Sequence, residues 1–302
     1  KNIDNWFPPM VQWLNKNTVW HSLVNNVVFG LGISFAILTI VGILKVLLSF
    51  PRRRESRTMF AIIFWVLGFF TYQSLQVTPT LRYFIIIYPF LAIFAAIGMN
   101  YLISYKFSLN GKHMVYPKII SYIFILISVS ILLLWPVMFS SIYKNKNSRV
   151  AASEWIYKNL PNNSFILGES WDDSLPLSVI NSYGKQFLSE QLPVFDADTP
   201  EKWQKMNDLL MRADYYVLSS NRGWGSIMTV PKKYPQTNQF YRKLLTNQLQ
   251  YKKIKEFSSF PQLSINNYQL AINDSWSDEG FTVYDHPQVL IFKNERHSSK
   301  IF

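Results

Sequence analysis

The chain has 302 residues, 49% hydrophobic and 17% aromatic, with 30 Lys and Arg against 18 Asp and Glu and a formal charge of +12. A pI near 9.6 in a soluble protein would point to nucleic acid, but residues 1–143 hold 11 basic residues against two acids and residues 144–302 hold 19 against 16. The excess therefore belongs to the apolar half, and the absence of cysteine excludes a disulfide framework and thiolate metal sites.

In chain order, residues 1–23 carry Trp6, Phe7, Pro8, Pro9, Trp13 and Trp20 and are expected to form an external, interfacial segment, since Trp collects at the water–lipid boundary. The chain begins at Lys1 without a signal-peptide pattern. It is read as the later part of a longer protein with further transmembrane helices upstream.

Four apolar stretches follow, Val27–Leu48, Thr58–Leu75, Phe84–Ile103 and Ile119–Phe139, each about 18–22 residues long, the length needed to cross a bilayer. Gly30, Gly32 and Gly42 in the first allow close helix approach. Lys45 sits near its cytoplasmic end and can snorkel. Pro89 and Pro136, inside the third and fourth, are expected to kink their helices. The connections Pro51–Arg57 and Ser104–Lys118 are basic, the latter through Lys106, Lys112 and Lys118, whereas Gln76–Tyr83 holds only Arg82. Basic short loops lie on the cytoplasmic side. Residues 1–23, Gln76–Tyr83 and everything after about Tyr143 are then external. Nucleic-acid binding by Arg52–Arg54 is the weaker alternative.

Beyond Tyr143 the composition turns to mixed charge, Asn, Ser and Pro. Ser148–Leu160 is predicted as a helix capped by Ser148 and stopped by Pro161. Phe165–Leu167 is predicted as a strand, and Thr199 as the cap of a helix that has Pro200 in its first turn and runs to about Arg212. Tyr215–Leu218 is a predicted strand, Gln236–Gln248 a helix and Tyr251–Phe257 a strand. Phe281–Tyr284 and Val289–Phe292 are expected to form a terminal hairpin around Asp285–Gln288. Helix–strand alternation over this length indicates one α/β domain. A large external domain without disulfides suits a bacterial or archaeal envelope better than an endoplasmic reticulum lumen.

The densest polar cluster is Glu169-Ser170-Trp171-Asp172-Asp173, after the first strand of that domain. Ligands of α/β sheets bind at the carboxyl ends of strands. Glu169, Asp172 and Asp173 can orient sugar hydroxyls or a divalent cation, with Trp171 stacking on a pyranose. The alternative is a capped turn ahead of Leu175-Pro176. No His or further carboxylate is spaced to complete a metal site. Arg82, with Tyr83 beside it, can pair bidentately with a phosphate at the external headgroup level, or serve as ordinary headgroup anchoring. Asn221-Arg222-Gly223-Trp224-Gly225 is an aromatic loop, read more readily as a surface turn than as a substrate contact. His286 is read as a turn residue. There is no Gly-rich phosphate loop, no zinc-binding His pair and no Ser–His–Asp arrangement; Asn162-Asn163-Ser164 and Asn273-Asp274-Ser275 fit a glycosylation sequon that is common by chance.

Six segments taken in order carry a resemblance. They are Asn26-Val27-Val28-Phe29-Gly30-Leu31-Gly32; Leu81-Arg82-Tyr83 with Tyr88-Pro89; residues 149–156 (RVAASEWI); residues 169–176 (ESWDDSLP); residues 212–222 (RADYYVLSSNR); and residues 281–292 (FTVYDHPQVLIF). The chain resembles the C-terminal part of prokaryotic phospholipid-carrier-dependent glycosyltransferases. These are relatives of the protein O-mannosyltransferases with the GT-C membrane fold, including archaeal and Chloroflexi-type proteins named for a Tyr-Tyr-Tyr motif. The resemblance implies transfer of a sugar from a polyprenyl-phosphate donor, the donor being substrate and no cofactor being implied, to a glycan or protein acceptor on the outer face of the membrane. It implies that Arg82 lies near the carrier phosphate. The family's catalytic acid lies in the first external loop, which has no counterpart here and is expected upstream. No residue of this chain is assigned as the catalytic base, and no family role carries over to Glu169–Asp173.

The expected architecture is thus a multi-pass α-helical membrane region of four transmembrane helices followed by an extracytoplasmic α/β domain. Residues 1–23 are the external interfacial segment, 24–143 the membrane helices and 144–302 the outer domain. The competing function is a non-catalytic envelope membrane protein whose outer domain binds carbohydrate or a partner protein. A transporter component is weaker, because no acid lies inside any expected span.

Overall fold

The computed structural model describes residues 7–49, 54–104, 107–109, 112–114 and 118–296. They fall into two compact units, one of residues 17–140 and one in which residues 7–16 join residues 141–296.

In the first unit, helix α1 (Thr18–Asn25) is capped by Asn17, whose side chain accepts from the Trp20 amide at 3.1 Å. A π-helical turn, Asn26–Gly30, follows, and α2 (Ile33–Ser49) starts after Gly32, where φ is +77°. The sequence expects one continuous helix over Val27–Leu48. The structure breaks it here, with a 113° bend between Thr18–Gly30 and Ile33–Ser49. The physical reason is Gly32, which adopts a left-handed conformation that ends a helix. Two side chains stabilise the break: Trp135 Nε1 donates to the Phe29 carbonyl at 3.0 Å and the Tyr88 hydroxyl to Asn26 Oδ1 at 3.0 Å.

Helix α3 (Arg54–Ser74) is followed by a 3-10 turn, Leu81–Ile87, and α4 (Tyr88–Ile103). Pro89 therefore lies inside the Leu81–Ile103 segment, as expected, but in the first turn of α4, where its missing N–H costs nothing. A short antiparallel hairpin, β1 (Phe107–Leu109) with β2 (Lys112–Met114), precedes α5 (Lys118–Ser140), which contains Pro136. Pro51, Arg52, Arg53 and Lys106 of the two basic connections, and Trp6 of the first segment, lie outside the described residues.

Among the described residues, two helical segments are long and apolar enough to cross a membrane: Leu81–Ile103 and the one containing α5. A third qualifies if the bent pair counts as one span. That is fewer than the four expected. Besides the break at Gly32, α3 is diluted by Trp65, Thr71, Tyr72 and Gln73, which leave the Thr58–Leu75 stretch helical but less apolar than the others. Helices α2 and α4 touch backbone to backbone. A Cβ at Gly42 would stand 1.8 Å from the Phe94 carbonyl oxygen, and one at Gly98 would stand 2.2 Å from that of Leu38. Against this seam pack Val66, Phe84, Ile87 and Leu91 in one cluster and Val46, Ile63 and Phe94 in another. Ile33, Ile37, Ile40 and Leu44 of α2, one outward stripe, are exposed.

The second unit is a five-stranded sheet sandwiched between helices. Its elements are α6 (Ser148–Asn159), β3 (Phe165–Glu169), β4 (Leu188–Leu192), α7 (Pro200–Arg212), β5 (Tyr215–Leu218), α8 (Arg222–Ile227), α9 (Pro235–Leu245), β6 (Tyr251–Phe257), a separate hairpin of β7 (Gln262–Ile265) and β8 (Tyr268–Ala271), α10 (Glu279–Thr282) and β9 (Val289–Asn294). The sheet order is β4-β3-β5-β9-β6; β3 is parallel to both neighbours, and β9 runs antiparallel between β5 and β6.

Strand alternation divides the core. Leu167, Tyr216, Leu218, Leu290 and Phe292 meet Met206, Leu209, Tyr241 and Leu244, whereas Ile166, Tyr215, Val217, Val289 and Ile291 meet Ala152, Ile156 and Leu160. Thr199 caps α7 as expected, accepting from the Lys202 amide at 3.3 Å. The cap of α6 is Asn147, which accepts from the Arg149 amide at 2.9 Å; Ser148 instead donates its hydroxyl to the Pro287 carbonyl.

The expected terminal hairpin does not form. Glu279–Thr282 is a helical turn capped by Asp278, and β9 enters the sheet alone, between β5 and β6. The Pro8–Trp13 turn is buried in this unit, with Trp13 Nε1 donating to Asp278 Oδ1 at 3.2 Å.

Candidate functional site

The sheet order creates a switch point between β3 and β5. The chain leaves β3 toward β4 on one side, and leaves β5 toward α8, α9 and β6 on the other. The two loops diverge and open a crevice at the carboxyl ends of two parallel strands, where ligands of α/β sheets bind. The loop after β3 carries Trp171, Asp172 and Asp173; the loop after β5 carries Ser219, Ser220 and Asn221 and leads into α8 at Arg222.

Glu169 is the last residue of β3 and points into the core. Its Oε1 accepts from the phenols of Tyr216 at 2.5 Å and Tyr241 at 2.7 Å, and Oε2 has no hydrogen-bond partner among the described residues. Burial raises this carboxyl to about 7, against the two tyrosine hydrogen bonds and with a further push from Asp172. Tyr216 and Tyr241 are themselves pushed well above the ordinary phenol range, first by burial and then by Glu169.

Asp172 is equally committed. Arg149 Nη2 donates to its Oδ1 at 2.8 Å, the Ser220 hydroxyl donates to Oδ2, and Arg149 Nε donates to the Ser219 carbonyl at 3.1 Å. Arg149 thus joins the start of α6 to both loops, and its Nη1 reaches Asp173 Oδ2 at 2.8 Å. Asp173 stays mostly in solvent, at 64% side-chain exposure. Trp171, in a left-handed conformation (φ +70°), is half exposed, with Phe7 edge-on at 6.1 Å between ring centroids.

The four residues singled out after β3 are therefore neighbours with different fates: two acids are consumed by internal bonds, and Trp171 and Asp173 face outward. Among the described residues no group of three His, Cys, Asp or Glu is placed to hold a metal ion.

Arg222 forms the opposite wall. Its Nε donates to Glu279 Oε1 at 2.5 Å, Nη1 to the Trp171 carbonyl at 2.7 Å and Nη2 to the Tyr284 hydroxyl at 3.4 Å. Gln12 completes the Glu279 carboxylate at 2.8 Å. Beside this wall lies a cavity of about 200 Å³ lined by Gln12, Lys16, Asn221, Trp224, Trp276 and Glu279, among others. Two buried polar atoms of its lining residues, Asn221 Oδ1 and the Trp224 indole N–H, have no hydrogen-bond partner among the described residues. Burial lowers the Lys16 ammonium, with Asp278 opposing. The cavity combines an acceptor, two kinds of donor and the ring of Trp276.

Arg149, Ser220, Glu279 and Lys16 carried no local signal. The Asn221–Gly225 segment did, and what looked like a surface turn is a short helix on the crevice. His286, read as a turn residue, is buried against Asp274, with Nε2 and Oδ2 2.7 Å apart. In the other unit, Arg82 and Tyr83 are exposed on the first turn of the Leu81–Ile103 segment. Arg82 Nη2 lies 3.3 Å from the Tyr83 hydroxyl, and its guanidinium carbon 5.1 Å from the centre of the Tyr83 ring.

Comparison of the chain with protein-family models, with curated proteins and with solved structures finds no match in any of the three.

Proposed function

We propose that the chain is the C-terminal portion of an integral membrane glycosyltransferase that moves a sugar from a polyprenyl-phosphate carrier to a glycan or protein acceptor on the outer face of the membrane. In this reading the protein is multi-pass in the cell membrane, with four crossings of which α3 is the second; its outward Phe60, Phe64 and Leu67 meet lipid. The basic connections are cytoplasmic and residues 144–302 are extracytoplasmic.

The observation that carries the reading is the exposed Arg82–Tyr83 pair at the start of a membrane-competent helix. A guanidinium there meets a lipid phosphate bidentately and stabilises the charge that grows on it as the sugar leaves. The acceptor is deprotonated by a carboxylate upstream of this chain, and the crevice of the outer unit selects that acceptor.

The test is sugar transfer by the full-length protein in liposomes containing polyprenyl-phosphate-linked sugar. Arg82→Ala is expected to abolish transfer and Arg82→Lys to restore part of it. Transfer unchanged in Arg82→Ala would overturn the assignment.

One observation favours the non-catalytic envelope reading: Glu169 and Asp172 are tied into internal bonds, so the crevice is better built to bind than to react. No transfer with any donor, together with saccharide binding lost in Trp276→Ala, would select it.

A further inference from the structure

We propose that the β7–β8 hairpin is a membrane-surface anchor that lays its apolar face into the headgroup–acyl boundary beside the end of α5. The hairpin pairs Leu263 with Leu270 and Ile265 with Tyr268, around Asn266, which has φ +52°. Residues opposite one another in an antiparallel pair point to the same side, and alternate residues share a side. Leu263, Ile265, Tyr268 and Leu270 therefore form one face, and Gln262, Ser264, Gln269 and Ala271 the other. The apolar face is uncovered: Ile265 is 59% exposed, Tyr268 84% and Leu270 57%. A two-stranded ribbon with a bare apolar side is marginal in water, so this face requires an occupant.

The position of the hairpin's base identifies it. The Gln262 amide donates to Ser141 Oγ at 2.9 Å, and Ser141 directly follows Ser140, the last residue of α5. The base of the hairpin is therefore bonded to the residue that directly follows, in the chain, the end of a membrane-competent helix. The residues between that end and α6 include Tyr143, which is exposed, and Lys144, the types that collect at the water–lipid boundary. Tyr268 adds a third amphipathic group to the same belt. A lipid surface is thus the occupant already at hand. The inference rests on the membrane placement of α5 and not on glycosyl transfer.

The absence of cysteine makes the test clean. Single-cysteine variants of the full chain carry a nitroxide in nanodiscs of phosphatidylcholine and phosphatidylglycerol, and their accessibility to oxygen and to a water-soluble nickel chelate is read. Tyr268→Cys and Leu270→Cys probe the apolar face and Gln269→Cys the polar one. Leu126→Cys, exposed on α5, is the lipid reference, and Lys205→Cys, exposed on α7, the aqueous one.

Positions 268 and 270 are expected to match position 126, favouring oxygen, with nickel accessibility several-fold below that of position 205; position 269 is expected to be nickel-accessible. Nickel accessibility at 268 and 270 equal to that at 205, with 126 still shielded, would overturn the anchor alone. Dipolar broadening between labels at 268 would assign the face to a second copy instead. Nickel accessibility at 126 would remove the membrane placement on which the anchor rests, and with it the topology behind the proposed function.

Discussion

A Cβ built on Gly223 would stand 2.1 Å from Oε2 of Glu169 and 2.7 Å from the Tyr241 hydroxyl. The first turn of α8 is thereby seated on the carboxyl that ends β3, and the loop after β5 reaches the crevice only because position 223 has no side chain. Gly223→Ala must push α8 away or turn the buried Glu169 carboxyl out of its two tyrosine hydrogen bonds. Overpacking of this kind costs about 1–3 kcal/mol. The expected outcome is a lower melting temperature of the detergent-solubilised protein and exposure of the Trp224 fluorophore. An unchanged melt would mean that the seat is loose.

Glu169 should make the second unit less stable as pH rises. Its carboxyl is raised to about 7 in the fold by burial, against an ordinary value near 4.3 in the unfolded chain. The fold therefore holds the proton more tightly. The resulting stabilisation is complete below the unfolded value and lost as pH climbs through the folded one, so the decline falls between about pH 4 and 7. Glu169→Gln, which imitates the protonated form, should flatten that decline in a melting-temperature profile. A wild-type profile already flat across the window would refute the assignment.

Arg149 and Asp172 are a buried pair, and breaking such a pair from one side costs about 3–5 kcal/mol because the other charge is left unpaired. Arg149→Met also strips the Ser219 carbonyl of its donor, so both loops at the crevice should loosen together. The expected signature is early proteolysis within 170–187 and 219–228, with the double variant Arg149→Met/Asp172→Asn less damaged than the sum of the singles. Strict additivity would show that the two residues do not act as a pair.

What the sequence disclosed follows from the range of the forces involved. The cap at Thr199, with Pro200 in the first turn, and the runs Tyr215–Leu218 and Tyr251–Phe257 are local signals, and those elements form where they were read. Segments whose state depends on partners distant in sequence were not legible. Strand β4 is mostly exposed and exists because it pairs with β3, and Phe281–Tyr284 has strand composition but is held as a turn by Asp278 and by Arg222 on Glu279. The site behaved likewise. Local polarity marked Glu169–Asp173, but which acids face solvent depends on Arg149, Tyr216 and Tyr241, 23 to 72 residues away in the chain from the acids they bond.

The helical unit of residues 17–140 offers a comparison with its own control. Gly42 and Gly98 meet across the α2–α4 seam, where an added Cβ would stand 1.8 Å and 2.2 Å from backbone oxygens, whereas a Cβ at Gly68 of α3 would meet nothing within 4 Å. Backbone oxygens cannot rotate away, so Gly42→Ala or Gly98→Ala must part the two helices, forfeiting contacts along their length. Gly68→Ala fills open space and relieves the helix-interior cost of glycine, about 0.5–1 kcal/mol. The first two variants are expected to lower the melting temperature and yield in detergent, and the third to hold or raise both. If Gly68→Ala were as damaging as Gly42→Ala, close approach at the seam would not be the cause, and helix propensity argues in the opposite direction.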